Sequence, residues 1–273
     1  MQLFLEASNV LLPVAYLIAT VAYGDLFFSD PGRSGRLAAP WLRATLFLHL
    51  AALVVLTARW RQLPAVTVSQ VLSLIALAVA AVYLFVEWRS REKATGFWLV
   101  SLAFLFQLLA SLLRDSPPPN RELFHDPLFG LHVTLALLGY AAFVVAAGYG
   151  FLFLMLYRDL KAGRFTTFFG KLPPLETLGN MLAGATKIGF ASLAGAIGLG
   201  VFWAERRGQG WLADPQILAT IAVWLFYGGV LLLRRSGRWQ GRHLAVASLI
   251  GFTAILGTLL AVRMFMVDFH GAL

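Results

Sequence analysis

Residues 131–157 read LHVTLALLGYAAFVVAAGYGFLFLMLY and contain no Asp, Glu, Lys or Arg. A helix needs about 20 apolar residues to cross the hydrocarbon core of a bilayer, so this stretch is long enough to span it. Seven more apolar runs of similar character occupy residues 5–27, 41–58, 66–87, 97–113, 181–204, 214–234 and 243–265. The sequence therefore predicts an all-α, polytopic membrane protein, a bundle of eight transmembrane helices.

The composition favours the same class. Apolar residues make up 59% of the chain and charged residues 13%, whereas a soluble globular protein carries about 25% charged residues. Because no polar stretch is long enough for a water-soluble domain, we expect residues 1–273 to form a single transmembrane domain. The chain has no cysteine, which excludes disulfides, thiolate metal sites and the CxxCH haem-attachment motif.

The connections between the runs form two alternating sets that differ in Lys and Arg. The richer set carries fourteen of these residues, at 28–43, 88–96, 158–180 and 234–242. The poorer set carries six, at 59–65, 114–130 and 205–213. Basic residues concentrate in cytoplasmic loops, so the richer set is predicted to be cytoplasmic and both termini to lie on the outer, periplasmic side. This bias also accounts for the net charge of +9, so nucleic acid is not an expected partner.

Two histidines are expected at the outer ends of their segments. His132 opens the fifth run, and His270 lies in the sequence VDFHGAL at the C-terminus. Taken singly, these are typical of an interfacial histidine and of a tail residue. Together they fall on one side at similar depth, and two neutral imidazoles on opposite faces of a porphyrin are a common way to hold haem iron.

His49 is predicted to lie near the middle of the second span, in TLFLHLAALVV. Ionisable residues at that depth are rare and usually functional. One interpretation is a ligand for a second haem within the membrane. The alternative is a neutral histidine that is hydrogen-bonded to a neighbouring helix.

Residues 198–215, GLGVFWAERRGQGWLADP, form a predicted outer loop with an unusual composition. Tryptophan faces can lie against a porphyrin, and arginines can pair with its propionates. The candidate haem-contacting residues of this loop are Trp203, Trp211, Asp214, Arg206 and Arg207. The alternative for the two tryptophans is an aromatic belt at the membrane interface.

Several short motifs resemble a known group of membrane proteins. They lie mainly in residues 131–273 and include residues 174–178 (PLETL), Trp203-Ala204, Trp211, Asp214-Pro215, the turn at 237–242 (GRWQGR) and Gly251-Phe252. With His132 and His270, these motifs resemble the cytochrome c assembly proteins, the haem-handling group of CcsA and CcmC, with HemX and YpjD closest in character. The resemblance implies that the tryptophan-rich loop and the two outer histidines bind haem on the outer face.

The loop departs from the family pattern WGxxWxWDPKE. Trp211, Asp214 and Pro215 match it, whereas Gln216-Ile217 replaces Lys-Glu. In the family's synthase a histidine stands late in the following span, and here that position is Leu232. These departures favour a haem-handling relative of HemX and YpjD over a complete synthase.

The hypothesis from the sequence is an integral membrane haem-handling protein of cytochrome c biogenesis or haem metabolism. It would hold a haem b between His132 and His270 in the bacterial cytoplasmic (inner) membrane. Its expected partners are the lipid bilayer and other cytochrome c assembly or haem-metabolism membrane proteins, and its expected role is a binding or assembly factor rather than a stand-alone enzyme. Two alternatives remain open: a haem-free membrane scaffold, and a redox subunit with a bis-histidine haem.

Overall fold

The computed structural model describes residues 2–29, 33–113, 125–164, 169–206 and 215–265, with side chains for all of these except 2–6, 33–35, 215 and 259–265. Across these residues the chain forms only helices and connections. The eight helices are α1 Gln2–Phe28, α2 Arg33–Trp60, α3 Val68–Ser90, α4 Gly96–Leu112, α5 Pro127–Lys161, α6 Leu175–Arg206, α7 Pro215–Arg235 and α8 Arg242–Phe265. Each contains all of one of the eight apolar runs or all but one or two of its residues, which confirms the all-helical class.

Six of these helices are long and apolar enough to cross a membrane: α1, α2, α3, α5, α6 and α7. Apolar α4 has 17 residues, and the part of α8 with described side chains ends at Thr258. Large apolar side chains also face outward, for example Phe47 at 74% exposure and Val54 at 67%. These features are those of a multi-pass membrane protein, with its apolar surface turned to lipid.

Two helix starts are fixed by side chains that accept backbone N–H groups. The Thr67 hydroxyl caps α3 by accepting from the Gln70 backbone N–H, and the Gln70 side-chain oxygen accepts from the Thr67 backbone N–H. Asp126 caps α5, whose first residue is Pro127. Both are start signals that the sequence carries.

Contacts near the helix termini show which termini lie together at each end of the bundle. Where α5 begins, it meets the end of α6, and where α1 begins, Asn9 lies beside Ser111 at the end of α4. We call this the His132 end. At the opposite end the Lys171 side chain donates to the Phe28 carbonyl, and Arg234 of α7 donates to Asn180 of α6. We call this the basic end, because Arg and Lys residues cluster in its connections.

Helices α5 and α6 pack closely because small residues line their contact. A Cβ added to Gly139 would come 3.2 Å from the Leu193 nitrogen, and one added to Gly189 would come 2.6 Å from Phe143 Cε1. Such close backbone approach is typical of helix pairs in membranes, where packing replaces the hydrophobic effect as the driving force. Helix α5 also contacts α3, which joins the first four helices to the last four.

The structure corrects two helix boundaries. Helix α2 begins at Arg33, eight residues before the predicted start, because basic residues end an apolar run without ending a helix. Helix α6 continues to Arg206, two residues beyond the predicted span 181–204, so the segment from 198 that the sequence assigned to an outer loop is helical as far as Arg206. A helix satisfies its own backbone hydrogen bonds in a membrane and tolerates glycine.

Candidate functional site

His132 lies in the second turn of α5, with its ring against α6. Its Nδ1 atom is 2.7 Å from the main-chain oxygen of Ala196. A carbonyl oxygen only accepts hydrogen bonds, so Nδ1 carries a proton and donates it. In the neutral form of the ring, Nε2 then carries the lone pair, and the described part of the chain supplies no hydrogen bond to it. Metal-ligating histidines have this arrangement, with the other ring N–H donated to a carbonyl or carboxylate.

Gly200 makes this position of the His132 ring possible. A Cβ at residue 200 would come 2.8 Å from Cε1 and 2.9 Å from Nδ1 of His132. Real Cβ atoms do not approach ring atoms so closely, so any larger residue would displace the imidazole. A Cβ at Gly198, two residues earlier, would meet nothing within 4 Å. Gly200 therefore positions the ring, and Gly198 does not.

Trp203 joins the end of α6 to the start of α5. Its indole Nε1 donates to Asp126 Oδ2 at 2.9 Å, while Asp126 Oδ1 accepts from the Leu128 N–H at 2.9 Å. The Phe129 ring lies 5.2 Å from the Trp203 ring and 6.0 Å from the His132 ring, between centroids. The structure thus brings His132 and Trp203 to the same end of the bundle, with the Phe129 ring between them.

Asp126 and Phe129 are site residues that the sequence reasoning missed. The signal for Asp126 was its place before Pro127, a typical N-cap and first-turn pair. Its partner Trp203 is 77 residues away and is found only from the packing of α5 on α6.

Of the remaining candidates in the 198–215 segment and at the C-terminus, only Arg206 is among the described residues. Arg206 is exposed, and its guanidinium lies over the Phe202 ring at 5.7 Å from the centroid. Four predicted residues lie outside the described residues: Arg207, Trp211, Asp214 and His270. The described part of this site is therefore one imidazole, an aromatic pair and an arginine at the His132 end.

His49 lies in a different environment, fully buried between α1, α2 and α3. Its Nδ1 is 3.1 Å from the Tyr16 hydroxyl, and its Nε2 is 3.0 Å from the Ser73 hydroxyl. Ser73 donates onward to Gln107 Oε1 of α4 at 2.9 Å. One hydrogen-bonded chain therefore crosses the first four helices.

The direction of that chain follows from its last acceptor. The Gln107 carbonyl oxygen accepts a hydrogen bond from the Ser73 hydroxyl. The Ser73 oxygen must then accept from His49 Nε2–H, and His49 Nδ1 accepts from the Tyr16 hydroxyl. Both His49 ring nitrogens are then engaged in hydrogen bonds, and coordination of iron by either nitrogen would require its hydrogen bond to be broken. This geometry gives no support to a second haem at His49 and favours the alternative of a hydrogen-bonded neutral histidine.

A buried carboxylate at the basic end was also missed. Glu87 is 4% exposed and accepts from the Tyr23 hydroxyl at 2.5 Å and from the Tyr83 hydroxyl at 2.7 Å. Tyr83 precedes Glu87 by four residues and so lies on the same helix face, a signal available in the sequence. The two tyrosines satisfy the Glu87 carboxyl and join α1 to α3.

Among the described residues, no group of three or more His, Cys, Asp or Glu side chains could hold a bare metal ion. The His132 site presents a single imidazole. A haem iron takes four of its ligands from the porphyrin and needs only axial ligands from the protein. The donor set at the His132 end therefore fits a haem.

Comparisons with known proteins point to one family. Residues 39–270 match the family model described as cytochrome C assembly protein. Similar relatives include the cytochrome c biogenesis protein CcsA of Prochlorococcus marinus (strain NATL1A), 26% identical over 94% of this chain and 91% of its own length. The CcsA of Pyropia yezoensis is 24% identical over 88% of each chain.

The protein HemX of Brevibacillus brevis is 22% identical over 87% of this chain and 92% of its own length. The resemblance seen in residues 131–273 thus extends into the N-terminal half, and the family match alone covers well over half of the sequence. The chain belongs to the cytochrome C assembly protein family.

Proposed function

We propose that this protein handles haem for cytochrome c assembly and binds it at the His132 end. His132 is the proposed axial ligand on α5, and His270 is the proposed ligand on the opposite face. The proposal rests on the hydrogen bonding of the His132 ring. Its Nδ1 donates to the Ala196 carbonyl, and its Nε2 has no described hydrogen bond. When bound, the haem would supply the iron that the two imidazoles coordinate and is itself the cargo.

The surrounding residues have proposed roles in shaping the pocket. The bond from Trp203 to Asp126 fixes an indole one turn from Gly200, and Phe129 fills the space between the Trp203 and His132 rings. Trp211 and Asp214 would complete this wall. Arg206 and Arg207 would neutralise the haem propionates, a role that suits the exposed Arg206.

Names of relatives and the charge distribution support the biological setting. CcsA relatives are named cytochrome c biogenesis proteins. The Lys- and Arg-rich connections of the basic end support a cytoplasmic position for that end by the positive-inside rule, and the proposed position of the His132 end is then outside. We therefore propose a bacterial cytoplasmic membrane protein whose haem, of the b type while it is held, is presented to other assembly proteins.

The test is the visible spectrum of the full chain purified in mild detergent, as isolated and after addition of haemin. We expect a Soret band in wild type that is lost in His132→Ala and His270→Ala and kept in His125→Ala. His125 is the matched control because it is exposed and lies just before α5. Absence of Soret absorbance, with no uptake of added haemin, would refute haem binding.

A second candidate function is a haem-free scaffold for an assembly complex. It is favoured by Leu232, which stands where the resemblance implies a histidine and is 68% exposed, and by Gln216-Ile217 at the start of α7, where the family pattern has Lys-Glu. Co-purification of a stoichiometric partner from haem-depleted membranes would support this candidate. The redox-subunit alternative ranks last, because electron transfer across the membrane needs a second centre and both His49 nitrogens are already hydrogen-bonded.

A further inference from the structure

A cleft of about 610 Å³ lies between α6 and α7 at the basic end. Its lining combines an apolar surface with three cations, and the residues are Lys187, Phe190, Gly228, Leu231, Leu232, Arg234 and Arg235. The volume is that of a small-molecule site. None of the lining residues is acidic, so the cleft carries an uncompensated positive charge.

Lys187 is the least expected of the three cations. It is exposed and lies within α6, one of the helices long and apolar enough to cross the membrane. Charged residues in such helices normally pair with another charge or reach a headgroup. No acidic partner for Lys187 occurs in the described part of the chain. The Lys187 ammonium is therefore open to an anion from outside the described residues.

The cleft is held open by fixed contacts. The Phe190 and Trp224 rings stack at 4.8 Å, and the Trp224 indole donates to the Phe190 carbonyl. A Cβ at Gly228 would come 3.0 Å from Phe190 Cε2, so only glycine leaves this wall undisturbed. Arg234 donates to Asn180 Oδ1 at 2.7 Å, which orients its guanidinium beside the cleft. The site is therefore built before any ligand arrives.

We propose that this cleft binds an anionic phospholipid from the leaflet in which α7 ends. The phosphate would lie among Lys187, Arg234 and Arg235, and the acyl chains would follow Leu231 and Leu232 toward the hydrocarbon core. Basic pockets between transmembrane helices at the cytoplasmic side are suited to such headgroups. This binding is independent of the haem site proposed at the His132 end.

The test uses the full chain in mild detergent, titrated with dioleoylphosphatidylglycerol and followed by native mass spectrometry. Dioleoylphosphatidylcholine, with the same acyl chains and no net charge, is the comparison lipid. The cleft variant is Lys187→Gln/Arg235→Gln, since both residues are exposed and neither makes the Asn180 bond. The matched control is Arg238→Gln/Arg242→Gln, which removes two charges from the same end outside the cleft.

We expect wild type and control to retain phosphatidylglycerol in preference to phosphatidylcholine. The cleft variant should bind phosphatidylglycerol about fivefold more weakly for each charge removed, equivalent to about 1 kcal/mol per cation. Equal binding by the cleft variant and the control would overturn the proposal, and so would equal retention of the two lipids.

Two added competitors separate the possible sources of the negative charge. Inorganic phosphate at matched concentration should leave the bound phosphatidylglycerol in place, because the acyl chains contribute to binding. Haemin should likewise fail to displace it. Displacement by phosphate would reduce the cleft to a simple anion site, and one-for-one displacement by haemin would make it a porphyrin site, so either result contradicts a phospholipid site.

Discussion

His132 and His49 are the same residue type in two contrasting settings. At the His132 end, one ring nitrogen is held by a backbone carbonyl, and the other has no hydrogen bond from the described residues. In the first four helices, both nitrogens of His49 are held by side chains, Tyr16 on one side and Ser73 on the other. The hydrogen bonds thus distinguish a ring with one nitrogen left without a described hydrogen bond from a ring whose two nitrogens both join helices.

The His132 ring is positioned by backbone atoms, whereas the His49 ring is positioned by side chains. At the His132 end, a helix carbonyl and a glycine position the ring, so neither group competes for iron. Around His49, the chain of donors continues through Ser73 to Gln107 and crosses four helices. The two regions should therefore respond oppositely to substitution, with haem affinity lost in one and stability lost in the other.

The largest expected effect is that of His132→Ala. Loss of a mere hydrogen-bond partner of a metal ligand weakens binding about 10- to 100-fold, so loss of the ligand should weaken haemin binding by at least about 100-fold. The measurement is haemin titration followed at the Soret band, with His125→Ala as the control. Unchanged affinity in His132→Ala would remove the distinction between the two histidines.

The next effect is that of His49→Ala on stability. The substitution leaves the buried Tyr16 hydroxyl without its acceptor, removes the donor to the half-buried Ser73 hydroxyl and opens a cavity, which should lower the free energy of unfolding by about 2 kcal/mol. Thermal unfolding in detergent measures it, with exposed His243→Ala as the control. Haem content per chain should stay the same, and a fall in haem stoichiometry would assign an iron to His49 after all.

Gly200→Ala sharpens the comparison without removing the ligand. The added methyl group must displace the His132 ring, since the present separation would be 2.8 Å. We expect haemin affinity to fall about tenfold, as for other disturbances around a metal ligand. Gly198→Ala adds the same methyl group where nothing lies within 4 Å, and it should leave affinity unchanged. Equal affinities in the two variants would show that the ring position is unimportant.

The smallest expected effect is that of Asp126→Ala. It removes the N-cap of α5 and the acceptor of the Trp203 indole, and lost caps typically lower stability by about 1 kcal/mol. Asp126→Asn keeps a capping oxygen and should recover most of this loss. Thermal unfolding of both variants measures it, and no difference from wild type in Asp126→Ala would contradict the capping role.

The sequence predicted the number, class and approximate limits of the helices because each apolar run is long relative to its boundary error. The predicted second span began too late because charged residues such as Arg33 precede it. Hydropathy detects burial in lipid and not helical backbone. Trp203 was assigned both to the end of the sixth apolar run and to the outer loop, and it lies on α6. Its ring packs against Phe129, which in turn lies beside His132.

Long-range partners could not be predicted. Tyr16 lies 33 residues from His49, and Asp126 lies 77 residues from Trp203, so periodicity within one helix carries no information about either pair. They follow from which helices pack together and in what register. A family resemblance suggested a haem at the His132 end, but only the packed structure reveals the carbonyl and the glycine that position the ring.

Chemical rescue is the most direct test of His132 as an axial ligand. In His132→Gly loaded with haemin, free imidazole can enter the space left by the side chain, and visible spectra record whether the bis-imidazole state returns. We expect the wild-type spectrum to be lost in His132→Gly and restored by imidazole, with no such response in His125→Gly. A spectrum of His132→Gly that matches wild type before imidazole is added would contradict coordination by His132.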